Sequence, residues 1–273
     1  MHLTTEQKIH YTLRIAVAMC FIGHGSFGII TKPIWCNYFA VFGIDKATAF
    51  TLMPWLGSFD IILGIVMLVY PIRAIPMWLV LWGLVTASLR PLSGEPFAEL
   101  IERAGNFGAP LTLLLLSGRI KNWKNIFSKI NPNNHVNDKT LRRVIFCLQV
   151  IVFLLLAGHG WLNVIEKKSL IQQYTSLGFS NPHNAAITIG ILEIIAAFAV
   201  LVRPIRPLLF ILIFWKIVSE FFYPHYEMFE WIERGGSYGC LIALWLATGA
   251  NSYRNWLNKI SIGNNFLRNT ARL

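Results

Sequence analysis

Charged residues are scarce in this chain. Asp, Glu, Lys and Arg make up 14% of its 273 residues, whereas soluble domains average about 25%, which argues against a water-soluble globule. Only four cysteines occur, and none forms a Cys-x-x-Cys pair, so neither a disulfide framework nor a structural zinc site is indicated. Phosphate-binding glycine loops, zinc-protease motifs and serine-hydrolase motifs are also missing. We therefore expect no soluble catalytic domain.

Long apolar runs are what the chain has instead. Eight segments approach the length of about 20 residues that crosses a bilayer core. They occupy residues 12–31, 48–70, 74–92, 105–118, 143–165, 184–203, 206–223 and 236–250. The sequence therefore predicts an all-α, polytopic membrane protein with eight transmembrane helices.

The basic residues predict the orientation. A net charge of +11 is also seen in nucleic-acid-binding proteins, but here lysine and arginine concentrate in alternate connections, above all in residues 119–143 and in the tail after residue 250. Short loops rich in these residues stay on the cytoplasmic side, and anionic lipid headgroups attract them. We therefore expect a multi-pass protein of the bacterial inner membrane with both termini in the cytoplasm. Its expected partner is the lipid bilayer, and no nucleic acid is expected to bind. The first apolar run lacks a small-residue cleavage site, so no signal peptide is predicted.

An internal repeat organises the chain. Four features occur twice in the same order: the Gly-His-Gly triplets at 23–25 and 158–160, the carboxylates Asp60 and Glu193, the tryptophans Trp82 and Trp215, and the Glu-x-Ile-Glu-Arg-x-Gly segments at 99–105 and 230–236. We predict two four-helix units, residues 1–123 and 143–273, joined by a basic cytoplasmic linker at 124–142. An even number of spans gives both units the same direction through the membrane, so the repeats are parallel.

Each Glu-x-Ile-Glu-Arg-x-Gly segment combines an apolar stripe with an acidic face, which predicts a short helix on the outer surface. The residues of this outer motif are Glu102, Arg103, Glu233 and Arg234. They are interpreted either as a solvated face in which each arginine pairs with local glutamates, or as a gate or docking edge over buried polar groups. Gly105 and Gly236 follow, at positions where a helix often ends with a left-handed residue.

Ionisable side chains inside the apolar runs are the candidate site residues, because each costs about 2.5–3.5 kcal/mol to insert into a membrane. They are His24, Asp60, His159, Glu193, Lys216 and Glu220, with Arg90 near an outer end. Lys216 and Glu220 are four positions apart and can form an ion pair on one helix face. The first unit has Gly83 and Ala87 there, which suggests that the units diverged into a site and a scaffold.

Several interpretations of these residues stay open. The glycines beside each histidine admit a neighbouring helix, or a flat ligand such as a quinone or a haem. The histidine then donates to a carboxylate, handles protons or ligates a metal, and metal ligation is the least favoured. The carboxylates are either neutralised in place or part of a proton or substrate route. Trp82 and Trp215 are core residues or stacking surfaces for a ring, and Trp35, Tyr223 and Trp256 are interpreted as interface anchors.

Three stretches carry a family resemblance. They are the His-Gly near the middle of the first span of each unit, residues 190–204 in the second span of the later unit, and Glu-Arg-x-Gly-x-Phe/Tyr-Gly at the start of each fourth span. With these motifs both halves, residues 12–118 and 143–250, resemble the DoxX/DoxD family of small four-helix membrane proteins. The tandem chain differs from the family's usual single unit. The resemblance implies a subunit or accessory protein linked to quinone reduction, with a membrane redox partner protein.

Three functions are compatible with this pattern. In the first, a quinone or another hydrophobic redox ligand sits between the units in a cavity lined by Trp215. Its catalytic residues are His159, Glu193, Lys216 and Glu220, and its ligand-binding residues are His24, Asp60, Arg90, Trp82 and Trp215. In the second, the chain is a proton-coupled small-molecule transporter that uses Asp60 and Glu193. In the third, it stabilises another membrane enzyme. Whether it is an enzyme stays open; a quinone is the candidate cofactor, haem is not favoured and no metal site is expected.

Overall fold

The computed structural model describes residues 3–120, 122–134, 136–222 and 228–249. Within these ranges the chain is helical and forms no strand, which confirms the all-α class. Tyr223, Trp256 and the basic tail after residue 250 lie outside the described residues.

The two halves of the described chain have the same order of long and short helices. In the first half, α1 spans Thr5–Ile29, α2 Trp35–Ala40, α3 Lys46–Val69, α4 Ala74–Leu92, α5 Ala98–Glu102 and α6 Ala104–Leu116. In the second half, α7 spans Asp138–Val164, α8 Lys168–Ser176, α9 Pro182–Val202, α10 Arg206–Ser219, α11 Met228–Glu233 and α12 Gly235–Thr248. Residues 117–137 connect α6 with α7, and a 3₁₀ turn lies there at Trp123–Phe127.

Five of these helices, α1, α3, α4, α7 and α9, are long and apolar enough to cross a membrane. The helices α6 and α12 are apolar but have only 13 and 14 residues. The sequence predicts one span over 206–223, whereas α10 ends at Ser219 and a 3₁₀ turn follows at Glu220–Phe222. Glu220 forms ion pairs with Lys216 and Arg234 at this point, where the regular helix stops.

Side-chain caps define where four of the long helices begin. An N-cap oxygen accepts hydrogen bonds from backbone N–H groups that the helix itself leaves without a partner. The caps are Thr4 at α1, Asp45 at α3, Asn137 at α7 and Asn181 at α9. The two predicted short helices are confirmed as α5 and α11.

Gly105 and Gly236 lie inside α6 and α12, so the expected left-handed helix end is wrong for both. The described glycines with positive φ are Gly43, Gly94, Gly118 and Gly178. A Cβ built on Gly236 would lie only 2.7 Å from the carbonyl oxygen of Gly105. The missing side chains therefore let α6 and α12 cross in backbone contact.

The centre of the bundle is formed by α1, α6, α7 and α12. On its two sides α3 packs against α1, and α9 packs against α7. The short helices cross between the halves: α5 packs against α7, and α11 packs against α1. Each half therefore receives the Glu-x-Ile-Glu-Arg segment of the other half beside its Gly-His-Gly triplet, and this exchange positions the candidate site.

Candidate ligand-binding site

A histidine, a carboxylate and a tryptophan come together in the first half. Nδ1 of His24 on α1 lies 2.9 Å from Oδ2 of Asp60 on α3. The indole Nε1–H of Trp82 on α4 donates to the same oxygen at 3.3 Å. Trp82 also stacks on Trp78, with ring centroids 5.9 Å apart. We call these three residues, His24, Asp60 and Trp82, the first triad.

The second half contains the matching triad of His159, Glu193 and Trp215, on α7, α9 and α10. Nδ1 of His159 lies 2.6 Å from Oε2 of Glu193, and Trp215 also donates a hydrogen bond to this carboxylate. Both tryptophans therefore act as hydrogen-bond donors, a role that their apolar surroundings in the sequence do not reveal. We call this set the second triad.

The second triad is closed by further hydrogen bonds and by apolar packing. Nδ2 of Asn163 donates to Oε2 of Glu193 at 3.1 Å, and the Tyr174 hydroxyl donates to Oδ1 of Asn163 at 2.8 Å. Leu162 and Leu170 pack with Tyr174 in a buried apolar cluster. Glu193 is consequently only 4% exposed.

The predicted pair of Lys216 and Glu220 is confirmed. Nζ of Lys216 lies 3.5 Å from Oε1 of Glu220, and both side chains are buried. Glu220 is also held by Nε of Arg234 at 2.9 Å. The four residues predicted as catalytic are thus placed in two ion pairs, His159 with Glu193 and Lys216 with Glu220, all buried within the second half.

The first triad opens into a cavity of about 150 Å³, which we call the inner chamber. Trp35, Tyr38 and Phe39 of α2 line it together with all three residues of the first triad. Asp60 is 1% exposed, yet its Oδ1 has no hydrogen-bond partner in the part of the chain that the structure describes. The inner chamber is therefore lined by aromatic rings and by one residue with an unsatisfied acceptor atom, and an apolar cavity with few polar groups is typical of sites for small ligands.

The sequence did not predict the part that α2 plays. Trp35 is interpreted there as an interface anchor, but its ring lies over the His24 imidazole with centroids 4.6 Å apart. The Tyr38 hydroxyl donates to Oε1 of Glu95 at 2.6 Å, and burial raises the pKa of Tyr38. The signal that could have revealed this is the contrast with the second half, where Leu170 and Gln173 occupy the corresponding positions after the histidine.

A network of ion pairs lies at the end of the bundle that contains α5 and α11. Arg103 contacts Glu99 at 2.9 Å and Glu102 at 2.6 Å, and Arg90 contacts Glu99 at 3.4 Å. Arg234 reaches across from the second half to Glu102 at 3.1 Å. Glu99 is 0% exposed and Glu102 is 5% exposed, so the solvated acidic face that the sequence suggested for α5 is wrong. Three arginines, Arg90, Arg103 and Arg234, pair with these carboxylates, which allows them to be buried.

The electrostatics of Glu102 follow from this pairing. Burial by itself raises the pKa of a carboxyl group, but Arg103 and Arg234 hold the pKa of Glu102 well below its ordinary value. Lys167 also pairs with Glu99. The ion pair of Arg234 with Glu102 therefore ties the two halves together.

A second cavity, of about 570 Å³, lies among these charges; we call it the outer vestibule. It shares Lys32, Tyr38, Arg90, Arg103 and Glu233 with the lining of the inner chamber. The two cavities are therefore adjacent, and the polar one leads toward the aromatic one. Trp215, the tryptophan expected to line a ligand cavity, lines neither of them.

The Gly-His-Gly triplets explain how the neighbouring helices reach each histidine. A Cβ on Gly23 would lie 2.6 Å from Cα of Glu233, and a Cβ on Gly158 would lie 2.7 Å from Cα of Glu102. The second glycine of each triplet is in similarly close contact with α3 or α9. The flanking glycines thus bring a carboxylate-bearing helix to one side of the histidine and a short outer helix to the other.

Compared with known proteins, the chain matches no protein-family model, no curated protein and no solved structure. Among the described residues, no three His, Cys, Asp or Glu side chains are grouped as metal ligands. The chemistry of the site has to follow from the geometry above.

Proposed function

We propose that the chain is an eight-span membrane protein of the DoxX/DoxD type, with two parallel four-helix units and both termini in the cytoplasm of a bacterial cell. The matching helix order and the two triads support the repeat. Large apolar side chains are exposed along α3 and α9 at the periphery of the bundle, among them Ile62 and Ile195. Such exposure is expected for surfaces that face lipid rather than water. The positions of the basic loops support the orientation.

We further propose that the inner chamber binds a quinone or another hydrophobic redox ligand. The observation that carries this proposal is the unpartnered Oδ1 of Asp60, a buried atom of a residue that lines an aromatic cavity beside His24. A buried acceptor without a partner costs free energy, which a ligand O–H or N–H donor would recover. Trp35 and Trp82 supply the apolar walls, and the site lies in the first half rather than the second.

The roles of the residues in this function follow from their positions. Oδ1 of Asp60 accepts a hydrogen bond from one quinol hydroxyl. When the quinol passes two electrons to a membrane redox partner protein, its two hydroxyl protons also leave: the His24–Asp60 pair takes up one, and water in the adjoining outer vestibule takes up the other. Arg90 and Arg103 line the polar end of the chamber. In this scheme His159, Glu193, Lys216 and Glu220 stabilise the bundle instead of acting on the ligand.

Ligand binding tests the proposal. The full chain in lipid nanodiscs is titrated with decyl-ubiquinol, kept reduced under anaerobic conditions, and binding is followed by quenching of tryptophan fluorescence. Asp60→Asn keeps the shape of the side chain but removes its charge, and we expect an affinity loss of about tenfold or more, or about 1.4 kcal/mol. The matched control Glu193→Gln is expected to bind like wild type. Equal affinity of wild type and Asp60→Asn would refute the proposed site.

The alternative, a proton-coupled transporter that uses Asp60 and Glu193, is favoured by one observation. The outer vestibule gives polar access to the first triad from one side. This alternative requires Glu193 to be as important as Asp60, and it predicts pH-driven uptake of solute into liposomes. Loss of such uptake in both Asp60→Asn and Glu193→Gln would favour the transporter over ligand binding in one half.

A further inference from the structure

Glu233 occupies the boundary between the two cavities. It belongs to α11 of the second half, yet it lines both the inner chamber and the outer vestibule. Its backbone lies against Gly23, the residue before His24. The site of the first half is therefore completed by a carboxylate from the second half.

The corresponding glutamate, Glu102, is bound differently. It lies beside Gly158 and approaches His159 from the first half, but Arg103 and Arg234 hold its carboxylate in ion pairs of 2.6 and 3.1 Å. In the ranges that the structure covers, the Glu233 carboxylate makes no hydrogen bond and no ion pair. Of the two matched glutamates, only Glu233 is free to change its proton or its rotamer.

We propose that Glu233 is a proton relay between the outer vestibule and the His24–Asp60 pair. A hydronium ion in the outer vestibule protonates the Glu233 carboxylate, and Glu233 passes that proton to Nε2 of His24. The imidazolium that results keeps the contact of its Nδ1 with Oδ2 of Asp60. The reverse sequence returns a proton to the vestibule. This inference rests on the proposed function in that the His24–Asp60 pair is taken to exchange protons with the ligand.

The charged groups around Glu233 are suited to this role. His24 faces it from α1, Arg90 from α4 and Arg103 from the connection between α5 and α6, and Arg234 follows it in sequence. Burial by itself raises the pKa of Glu233, but these positive charges hold the pKa below its ordinary value. The resting carboxylate is therefore ionised, and it holds a proton only while that proton passes between the outer vestibule and His24.

Trp35 provides a natural reporter for the test, because a protonated imidazole quenches a tryptophan ring in contact with it, and the Trp35 and His24 rings lie 4.6 Å apart. The full chain in nanodiscs is mixed rapidly with acidic and with alkaline buffer, and the trace of a Trp35→Phe variant is subtracted. The difference gives the rates at which His24 gains and loses its proton. No quinone is needed, so the relay can fail while ligand binding stands, and the reverse.

For Glu233→Gln we expect both rates to fall by about tenfold or more, because a relay speeds proton transfer in both directions. Glu233→Asp is expected to recover most of the loss. The matched control is Glu230→Gln, which removes a carboxylate from the same helix. Glu230 lines the outer vestibule but not the inner chamber, so this variant should leave both rates at the wild-type value. Four results would each overturn the proposal. Glu233→Gln could leave both rates unchanged or change only their ratio, Glu230→Gln could slow both rates equally, or wild type could show no Trp35-dependent signal.

Discussion

The two halves of this protein contain the same polar triad in two different environments. In the second half Asn163 and Trp215 donate to the carboxylate, Tyr174 donates to Asn163, and two leucines pack with Tyr174. In the first half the carboxylate keeps an unpartnered oxygen and faces a chamber. The comparison teaches that the triad alone does not make a site; the residues that cover it decide whether it stabilises the bundle or receives a ligand.

One position close to each triad differs between the halves. Four residues after the histidine the second half has Asn163, whose amide reaches Glu193. The first half has Gly28 at that position, where a Cβ would lie 2.7 Å from the carbonyl oxygen of Met53. Gly28 therefore brings α1 and α3 together but offers no side-chain donor to Asp60.

The largest expected difference between the halves is in stability. Glu193→Ala removes the shared partner of His159, Asn163 and Trp215, and breaking such a buried pair costs about 3–5 kcal/mol. Asp60→Ala is expected to cost less, because one of its oxygens has no partner to lose and water can enter the inner chamber. Unfolding of both variants in SDS, followed by circular dichroism, measures the two losses. A larger loss for Asp60→Ala would contradict the assignment of the second triad as structural.

The glycine triplets separate the structural role from the ligand role. Gly23→Ala and Gly158→Ala each force a Cβ into the backbone of a short outer helix, and we expect each to cost about 1–3 kcal/mol of stability. Only Gly23→Ala displaces Glu233 from the inner chamber, so only this variant should also weaken quinol binding. Thermal unfolding and fluorescence titration of both variants check this. Equal loss of binding in Gly158→Ala would show that the halves share one site.

A smaller effect is expected at the tyrosines. Tyr174→Phe removes a buried hydrogen bond to Asn163 and should cost about 1 kcal/mol. Tyr38→Phe removes a partly buried hydrogen bond to Glu95, whose carboxylate keeps Arg90 as a partner at 3.0 Å, so a smaller loss is expected. Comparison of the two melting temperatures decides the order, and the reverse order would weaken the distinction between a closed and an open triad.

The smallest expected effect is in acid sensitivity. A carboxylate whose pKa is lower in the folded than in the unfolded protein stabilises the fold above the unfolded value, and this stabilisation is lost as the pH falls through the folded value. The pKa of Glu102 is held well below its ordinary value of 4.5, and that of Glu233 is also lowered. We therefore expect Glu102→Gln to flatten the decrease of melting temperature below about pH 4.5 more than Glu233→Gln does. The opposite order would contradict the pairing described here.

The sequence predicted the helical class, the candidate residues of both triads and the ion pair of Lys216 with Glu220, because intramembrane charges and helix spacing are local features. It favoured the second half as the catalytic site, since Lys216 and Glu220 add charge there. That preference could not account for packing: α2 is short and apolar, and nothing in its sequence shows that Trp35 folds back over His24.

The outer network shows the same limit. The sequence places Glu102 beside Arg103 and therefore suggests a local pair on a solvated helix. Arg234 lies 132 positions after Glu102 in the sequence. It reaches Glu102 only because α5 and α11 cross between the halves. Such contacts depend on how helices pack, which spacing along one helix does not determine.

Photolabelling shows directly whether a quinone binds in the inner chamber of the first half. An azido-quinone is bound to the full chain in native membranes and activated by light, and the labelled peptides are identified by mass spectrometry, with excess unlabelled quinone as the competition control. Label is expected on the walls of the inner chamber. These walls are residues 34–44, which include α2, and residues 82–90 of α4. Competable label around His159 and Trp215, with none in the first half, would contradict the account.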